Sequence, residues 1–391
     1  MDSTPPESWS DLPSVILEKI ANCYKSSRLY VLRFRGVCRS WRSSIPPLMA
    51  ILYPLKLPYP IHPDPNLPVG HYILKEATTY SIQPLSDATV PPWILQIESS
   101  ESEGNAIFKC MLPRMSRAER KSACHFPKVI DLLQFRVNEM CNDHLLDAVV
   151  EWPYPHVIGA AVASGSSETA NGFTVMAVDK KKFCLGVWRM GDDRWSIISD
   201  HTVRDAHFTR VKYIRRKFYA FAHNGLAVTI DPDSLKITQV APPKQQSNYV
   251  SNSESIQLLG VVESFGNIFG VYEYTHYRAE GKTVRIQVET LEEETKEWIR
   301  AGDEMKDSVA FIGSKYSFSV LAKDMPGYKA NSIYFDHCYG YGYDPEPPAT
   351  TCGHPGSKYS IYEVENGHIS ALCGQSGCSP SFWRPPSWLN L

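Results

Sequence analysis

The chain has no run of about eighteen apolar residues, the length a helix needs to cross a bilayer, so its 391 residues predict no helical membrane span. Its opening, MDSTPPESWSDLP, has neither a basic stretch nor an apolar core and predicts no secretory leader. An excess of one charge is also lacking. Forty Lys+Arg against 42 Asp+Glu leave a formal net charge of −2, which argues against a general nucleic-acid binder. The ten cysteines are scattered through the chain, and without a leader they read as reduced thiols of the nucleus or cytoplasm. There is no G-x-x-x-x-G-K-[ST] phosphate loop, no G-x-S-x-G nucleophile elbow and no papain-like cysteine context. Twelve histidines among many carboxylates permit any triad on paper and therefore select none. The expectation is a non-catalytic protein with no cofactor, acting on neither membrane nor nucleic acid.

The densest group of potential metal ligands is His337, Cys338, Cys352, His354, Cys373 and Cys378. Structural zinc takes about four N or S ligands, presented as close pairs. Here Cys352 and His354 are separated by one residue and Cys373 and Cys378 by four, and the set does not divide cleanly into such pairs. Ordinary thiols and no metal are expected. The loop CYGYGYD (338–344) reads as the cap of a β-domain, with a binding surface as the alternative. The basic runs Lys180–Lys182 and Arg215–Lys217 read as turns or an outer face, and LEEETKE (291–297) as a solvated hairpin turn.

What the chain does have is concentrated in residues 9–47, WSDLPSVILEKIANCYKSSRLYVLRFRGVCRSWRSSIPP. Pro13 suits a first helical turn, with Ser10 or Asp11 as possible caps upstream. Leu12, Ile16 and Ile20 recur one helical turn apart, with Pro13, Leu17 and Ala21 in a row beside them. A second segment carries Leu29, Leu32 and Phe34. A third carries Val37, Cys38, Trp41 and Ile45, and Pro46 and Pro47 stop it. Three helices this short are marginal alone, and their apolar residues outnumber what so small a bundle buries. The module must share apolar surface with a partner or with the rest of the chain. Residues 1–45 hold seven Lys+Arg against four acids, a bias that suits an acidic partner or a plain solvated face.

These residues resemble an F-box, the motif that docks a receptor protein onto the Skp adaptor of a cullin–RING ubiquitin ligase. The opening Leu12-Pro13, then Ile16-Leu17 and Ile20, and the closing VCRSWR from Val37 to Arg42 carry the likeness. The resemblance implies adaptor contacts from Leu12, Pro13, Ile16, Leu17, Ile20, Val37, Cys38 and Trp41.

Residues 48–70 contain six prolines and little periodicity, and read as an extended, semi-rigid linker. From about residue 71 short runs rich in Val, Ile, Phe, Tyr and Thr recur between turn signals, from WILQIES (93–99) to HISALC (368–373). Many short, closely spaced strands predict a mainly β fold, a sandwich, barrel or propeller. One stretch, 126–146, reads instead as helix or loop. VWRMGDDRWSII (187–198), VTIDPDSLKITQV (228–240) and VETLEEETKEWIRA (288–301) share a strand, acidic turn, strand layout, and YEVENGHISAL (362–372) is a shorter version. A blade-like repeat of about 40–50 residues fits this layout.

FPKVIDLLQFRV (126–137), VKYIRRKFYAF with GLAVTID (211–231), ESFGNIFGVYEY (263–274), the long match over 297–336 and the closing FWRPPSWL (382–389) resemble a second pattern. It is the KIB-type C-terminal domain of a large family of plant F-box proteins. This resemblance implies an N-terminal three-helix F-box (9–47), the linker (48–70) and a β-propeller-like domain (71–391). It implies the substrate-recognition subunit of a Skp–cullin–F-box ubiquitin ligase, whose β-domain recruits a protein target. The alternative is a scaffold that binds partners without promoting their ubiquitination.

Overall fold

In the computed structural model, the Pro13 carbonyl accepts the N–H of Ile16 at 2.9 Å and of Leu17 at 3.1 Å, which starts α1 (Ser14–Tyr24). Pro13 therefore stands just ahead of the helix, in the capping position. Two further helices follow, α2 (Arg28–Val37) and α3 (Arg39–Ser44). The sequence grouping of Val37 and Cys38 with the third helix is corrected here. Val37 closes α2, and Cys38 takes an extended conformation (φ −160°) that breaks the helix and caps α3. Its carbonyl accepts the Arg42 N–H at 3.0 Å. Leu17, Ala21, Val31, Phe34 and Ile45 form the core of this module, with Leu12, Ile20 and Trp41 leaning on it. Arg35 and Arg42 bind reciprocally across the α2–α3 corner. Arg35 Nη1 donates to the Arg42 carbonyl at 3.0 Å, and Arg42 Nε donates to the Arg35 carbonyl at 3.0 Å. Helix-end carbonyls left without intrahelical partners are satisfied in this way.

The structure describes residues 9, 12–24, 28–45, 54–62, 69–99, 106–109, 134–150, 157–164, 173–179, 182–203, 206–244, 253–278, 281–313, 317–336 and 359–371. The chain divides into two units, Met1–Tyr53 and Pro54–Leu391. Ser10 and Asp11, the expected caps, lie outside the described residues, as do 337–358 and 372–391, which hold all six candidate metal ligands and the CYGYGYD loop.

The second unit is built from four sheets. The first contains β1 (Leu55–Pro58), β2 (Gly70–Pro84), β3 (Trp93–Ser99), β4 (Ala106–Lys109), β5 (Phe135–Val150), β6 (Val157–Ser164), β7 (Phe173–Val178), β8 (Leu185–Arg189) and β9 (Ser196–Ile197). The second runs β10 (Phe208–Ile214), β11 (Lys217–Ala222), β12 (Ala227–Ile230), β13 (Ile237–Ala241). The third runs β14 (Ser253–Ser264), β15 (Asn267–Arg278), β16 (Gly281–Glu292), β17 (Glu297–Arg300). The fourth comprises β18 (Ser308–Ile312), β19 (Ser317–Leu321), β20 (Ser332–Asp336), β21 (Tyr359–Glu363) and β22 (Ile369–Ala371), with β18 and β20 parallel and the rest antiparallel.

Two sequence expectations change. The stretch read as linker contains β1, which pairs antiparallel with β2, Leu55 opposite Leu74 and Pro58 opposite His71. The stretch read as helix or loop is strand from Phe135 onward, paired with β2 along its length. The cause of the second misreading is a bulge. The register passes from Thr79↔Cys141 to Tyr80↔Glu139 and leaves Met140 over. That extra residue spaces Val137, Met140, Cys141 and Leu145 as an amphipathic helix would.

Each sheet packs on the next, and the fourth returns to the first. Strand β10 lies against β6 and β7. Tyr219, Phe221 and Val240 of the second sheet meet Leu258, Ile268 and Tyr272 of the third. Val262, Phe269 and Val288 of the third meet Ala310, Ile312 and Phe335 of the fourth. Phe311 and Phe318 of the fourth meet Ile94 of the first, with Met140 and Cys141 beside them. Burial on both faces explains why strands such as β11 and β12 are apolar at successive positions rather than alternating. The repeated strand, acidic turn, strand motif is the closing hairpin of each sheet. In the first, second and fourth sheets a turn side chain accepts backbone N–H groups. Asp192 accepts from Arg189 at 3.0 Å and Asp231 from Ser234 at 2.8 Å, and in the fourth sheet Asn366 accepts from His368 at 2.8 Å.

A candidate docking surface on the helical module and a cavity between the sheets

The eight residues that the F-box resemblance points to separate by burial. Leu17 has no exposed surface and serves the module's own core. Leu12, Ile20 and Trp41 are half-buried. Trp41 is fixed on two sides, by Phe34 at 4.5 Å between ring centroids and by its indole N–H donating to the Trp9 carbonyl at 2.9 Å. Cys38 is half-buried with its thiol free. Pro13 is exposed, as are Ile16 at 41% and Val37 at 55%. Val15 at 60% and Leu32 at 65% are exposed too. Val15 was not singled out from the sequence, and Leu32 was read there only as an apolar residue of the second helical segment. The signal was present, since Val15 and Leu32 fall off the rows that build the core. The module thus buries one apolar set and leaves a second in water.

The second unit holds a cavity of about 360 Å³ where all four sheets come together. Its lining includes Cys141 and Asp143 on β5, Val162 on β6, Lys212 and Ile214 on β10, Val261 and Glu263 on β14, and Ser317 and Phe318 on β19. Lys212 Nζ donates to Asp143 Oδ1 at 3.0 Å and to the Ser317 carbonyl at 2.9 Å, and so ties the second sheet to the first and the fourth. Arg210 on the same strand donates to the Leu259 carbonyl of the third at 2.9 Å. The Cys141 thiol donates to Asp143 Oδ2 at 3.0 Å. Burial, then the Asp143 charge, pushes that thiol well above its usual range. Burial alone would lower the Lys212 ammonium, but the attraction of the Asp143 carboxylate outweighs it, and the group is raised. A raised thiol is a poor nucleophile, and a lysine locked in an ion pair is a poor base. This constellation holds sheets together.

The profile of the KIB1-4 beta-propeller family matches residues 70–363. The chain belongs to the KIB1-4 β-propeller family. The match covers all four sheets apart from β1 and the last strand, so the sheets just described are those of a β-propeller domain, in a mainly β protein with helices at its N-terminus. F-box protein SKIP23 of Arabidopsis thaliana is 24% identical over 97% of this chain and 95% of its own. F-box protein At2g17036 of the same plant is 22% identical over 97% of this chain and 94% of its own. Both alignments extend well beyond the propeller profile at a share of this chain that takes in helical-module sequence. Among solved structures, the WD40 domain of Neurospora crassa Pan2 is 12% identical over 71% of this chain, with a TM-score of 0.23, too low to carry an argument.

Proposed function

We propose that this KIB1-4 family chain is the substrate receptor of a Skp–cullin–F-box ubiquitin ligase. The helical module docks on the Skp adaptor, and the propeller domain holds a protein target. The observation that carries the reading is the second apolar set of the module. Pro13, Ile16 and Val37 stand in water on a bundle too small to cover them, and they fall at positions where the F-box pattern places adaptor contacts. The full-length similarity to plant proteins named as F-box proteins supports it. Burying a single Val or Ile side chain is worth about 1.5–3 kcal/mol, so a few such anchors carry an interface. The chain performs no bond chemistry. It raises the local concentration of target lysines near a ubiquitin-charged enzyme, in the nucleus or cytoplasm.

The test is a titration of purified chain against a Skp adaptor. Ile16→Asp and Val37→Asp place a charge on the exposed set without touching the core, and each is expected to weaken binding at least about tenfold. Unchanged affinity in both would overturn the assignment.

A further inference from the structure

The basic run at 215–217 forms part of a hairpin turn whose chemistry is unusual. Strands β10 and β11 join through Arg215 and Arg216, and β14 and β15 through Phe265 and Gly266. Both loops have two residues with positive φ, 49° and 64° in the first and 49° and 78° in the second. Two-residue hairpins of this type favour Asn-Gly, because an L side chain is crowded in the left-handed region. Here two arginines and a phenylalanine hold those positions. All three point outward, with Phe265 at 61% exposure. The two turns are neighbours, since the place a Cβ would take on Gly266 lies 3.9 Å from Arg215 Nη2. Arg215 is steadied by Glu293 at 3.4 Å, while Arg216 forms no ion pair among the described residues. The lining of the central cavity ends at Ile214 and Glu263, one and two residues short of the turns.

We propose that these two turns are the target-docking edge of the propeller domain, and that they take an extended acidic segment of a partner protein that carries an aromatic residue. This rests on the receptor reading above and names the face that reading leaves open. Side chains unfavourable to the backbone stand exposed at adjacent tips, and only Arg215 among them has an ion-pair partner among the described residues. Strain at exposed positions that no packing requires points to function. Arginine and aromatic side chains are those enriched at interface centres. The Arg215 and Arg216 guanidinium groups match carboxylates. Phe265 supplies the apolar anchor.

The turn chemistry also makes the test clean. Phe265→Asn creates the favoured Asn-Gly hairpin, and Arg215→Asn with Arg216→Gly does the same for the other turn. Both variants of the full chain are expected to melt at or above the wild-type temperature. Residues with a structural role would lower it. The probe is a fluorescein-labelled glutamate-rich peptide with one central phenylalanine, read by anisotropy. Salt-dependent binding to wild type, weakened about tenfold or more in each variant and lost when the glutamates become lysines, supports the proposal. No binding by wild type, or equal binding by the variants, overturns it. Adaptor binding measured on the same samples separates the two readings. Retained adaptor binding without peptide binding sinks only the docking edge, and peptide binding without adaptor binding sinks only the receptor reading.

Discussion

Lys212 donates to two sheets from a third, and nothing in its tripeptide, Val211-Lys212-Tyr213, marks it in the sequence as more than one lysine among forty basic residues. Removing it leaves a carboxylate oxygen of the half-buried Asp143 unpaired, and breaking even a fully buried pair from one side costs about 3–5 kcal/mol. Lys212→Met is expected to lower unfolding free energy by up to the lower end of that range in urea titration, and Lys212→Met with Asp143→Leu to recover part of it. The same cluster sets an alkaline limit. Cys141 and Lys212 both have raised values in the fold, so the native state holds protons that the unfolded chain releases. Stability is therefore full below the ordinary thiol value, near 9, and falls as pH rises, first through Cys141 and then, above about 10, through Lys212. Cys141→Ala should flatten the first part of that fall in denaturation curves taken at successive pH values. In the helical module the contrast is between adjacent residues. Leu17→Ala opens the core and costs about 2–5 kcal/mol, and is expected to abolish hydrogen-exchange protection across residues 12–45. Ile16→Ala should leave that protection intact and weaken adaptor binding.

At the scale of elements, legibility followed local chemistry. Three of the four closing hairpins have a turn side chain that accepts backbone N–H groups, Asp192, Asp231 and Asn366, and that local chemistry made the layout readable. Strand β5 was not readable, because the bulge at Met140 shifts its apolar residues into helical spacing. Strand β2 has no counterpart among the expected strands for a different reason. Its polar residues are inside: Lys75 pairs with Asp147 at 2.7 Å, and Glu76 accepts from Asn142 at 2.6 Å, partners 72 and 66 residues away that no local reading supplies. The break between α2 and α3 at Cys38 was missed because Val37 and Trp41 keep helical spacing across it. Close approach between sheets also hides in single glycines. A Cβ on Gly260 would lie 2.7 Å from Ile312 Cγ2 and 2.7 Å from Ser317 Oγ, so β14 reaches the fourth sheet only as glycine. Gly260→Ala is expected to cost about 1–3 kcal/mol through overpacking, seen as a lower midpoint in thermal melting.

For the whole molecule, the division at Tyr53 and Pro54 matters most. The helical unit has a small core and an apolar set left in water, while the propeller unit closes its sheets on one another. The eight F-box positions were legible as a pattern, but the pattern does not say which residues are core and which are surface, since both kinds must be apolar. Burial separates Leu17 from Ile16. The receptor role of the chain depends on the helical unit being the docking part. The most direct measurement is co-purification with a Skp adaptor, comparing the intact chain with a version lacking residues 1–47. The intact chain is expected to retain the adaptor, and the shortened chain to lose it while its propeller domain keeps its β circular dichroism and cooperative melt. An intact, folded chain that retains no adaptor, or a shortened chain that binds as well, would contradict it.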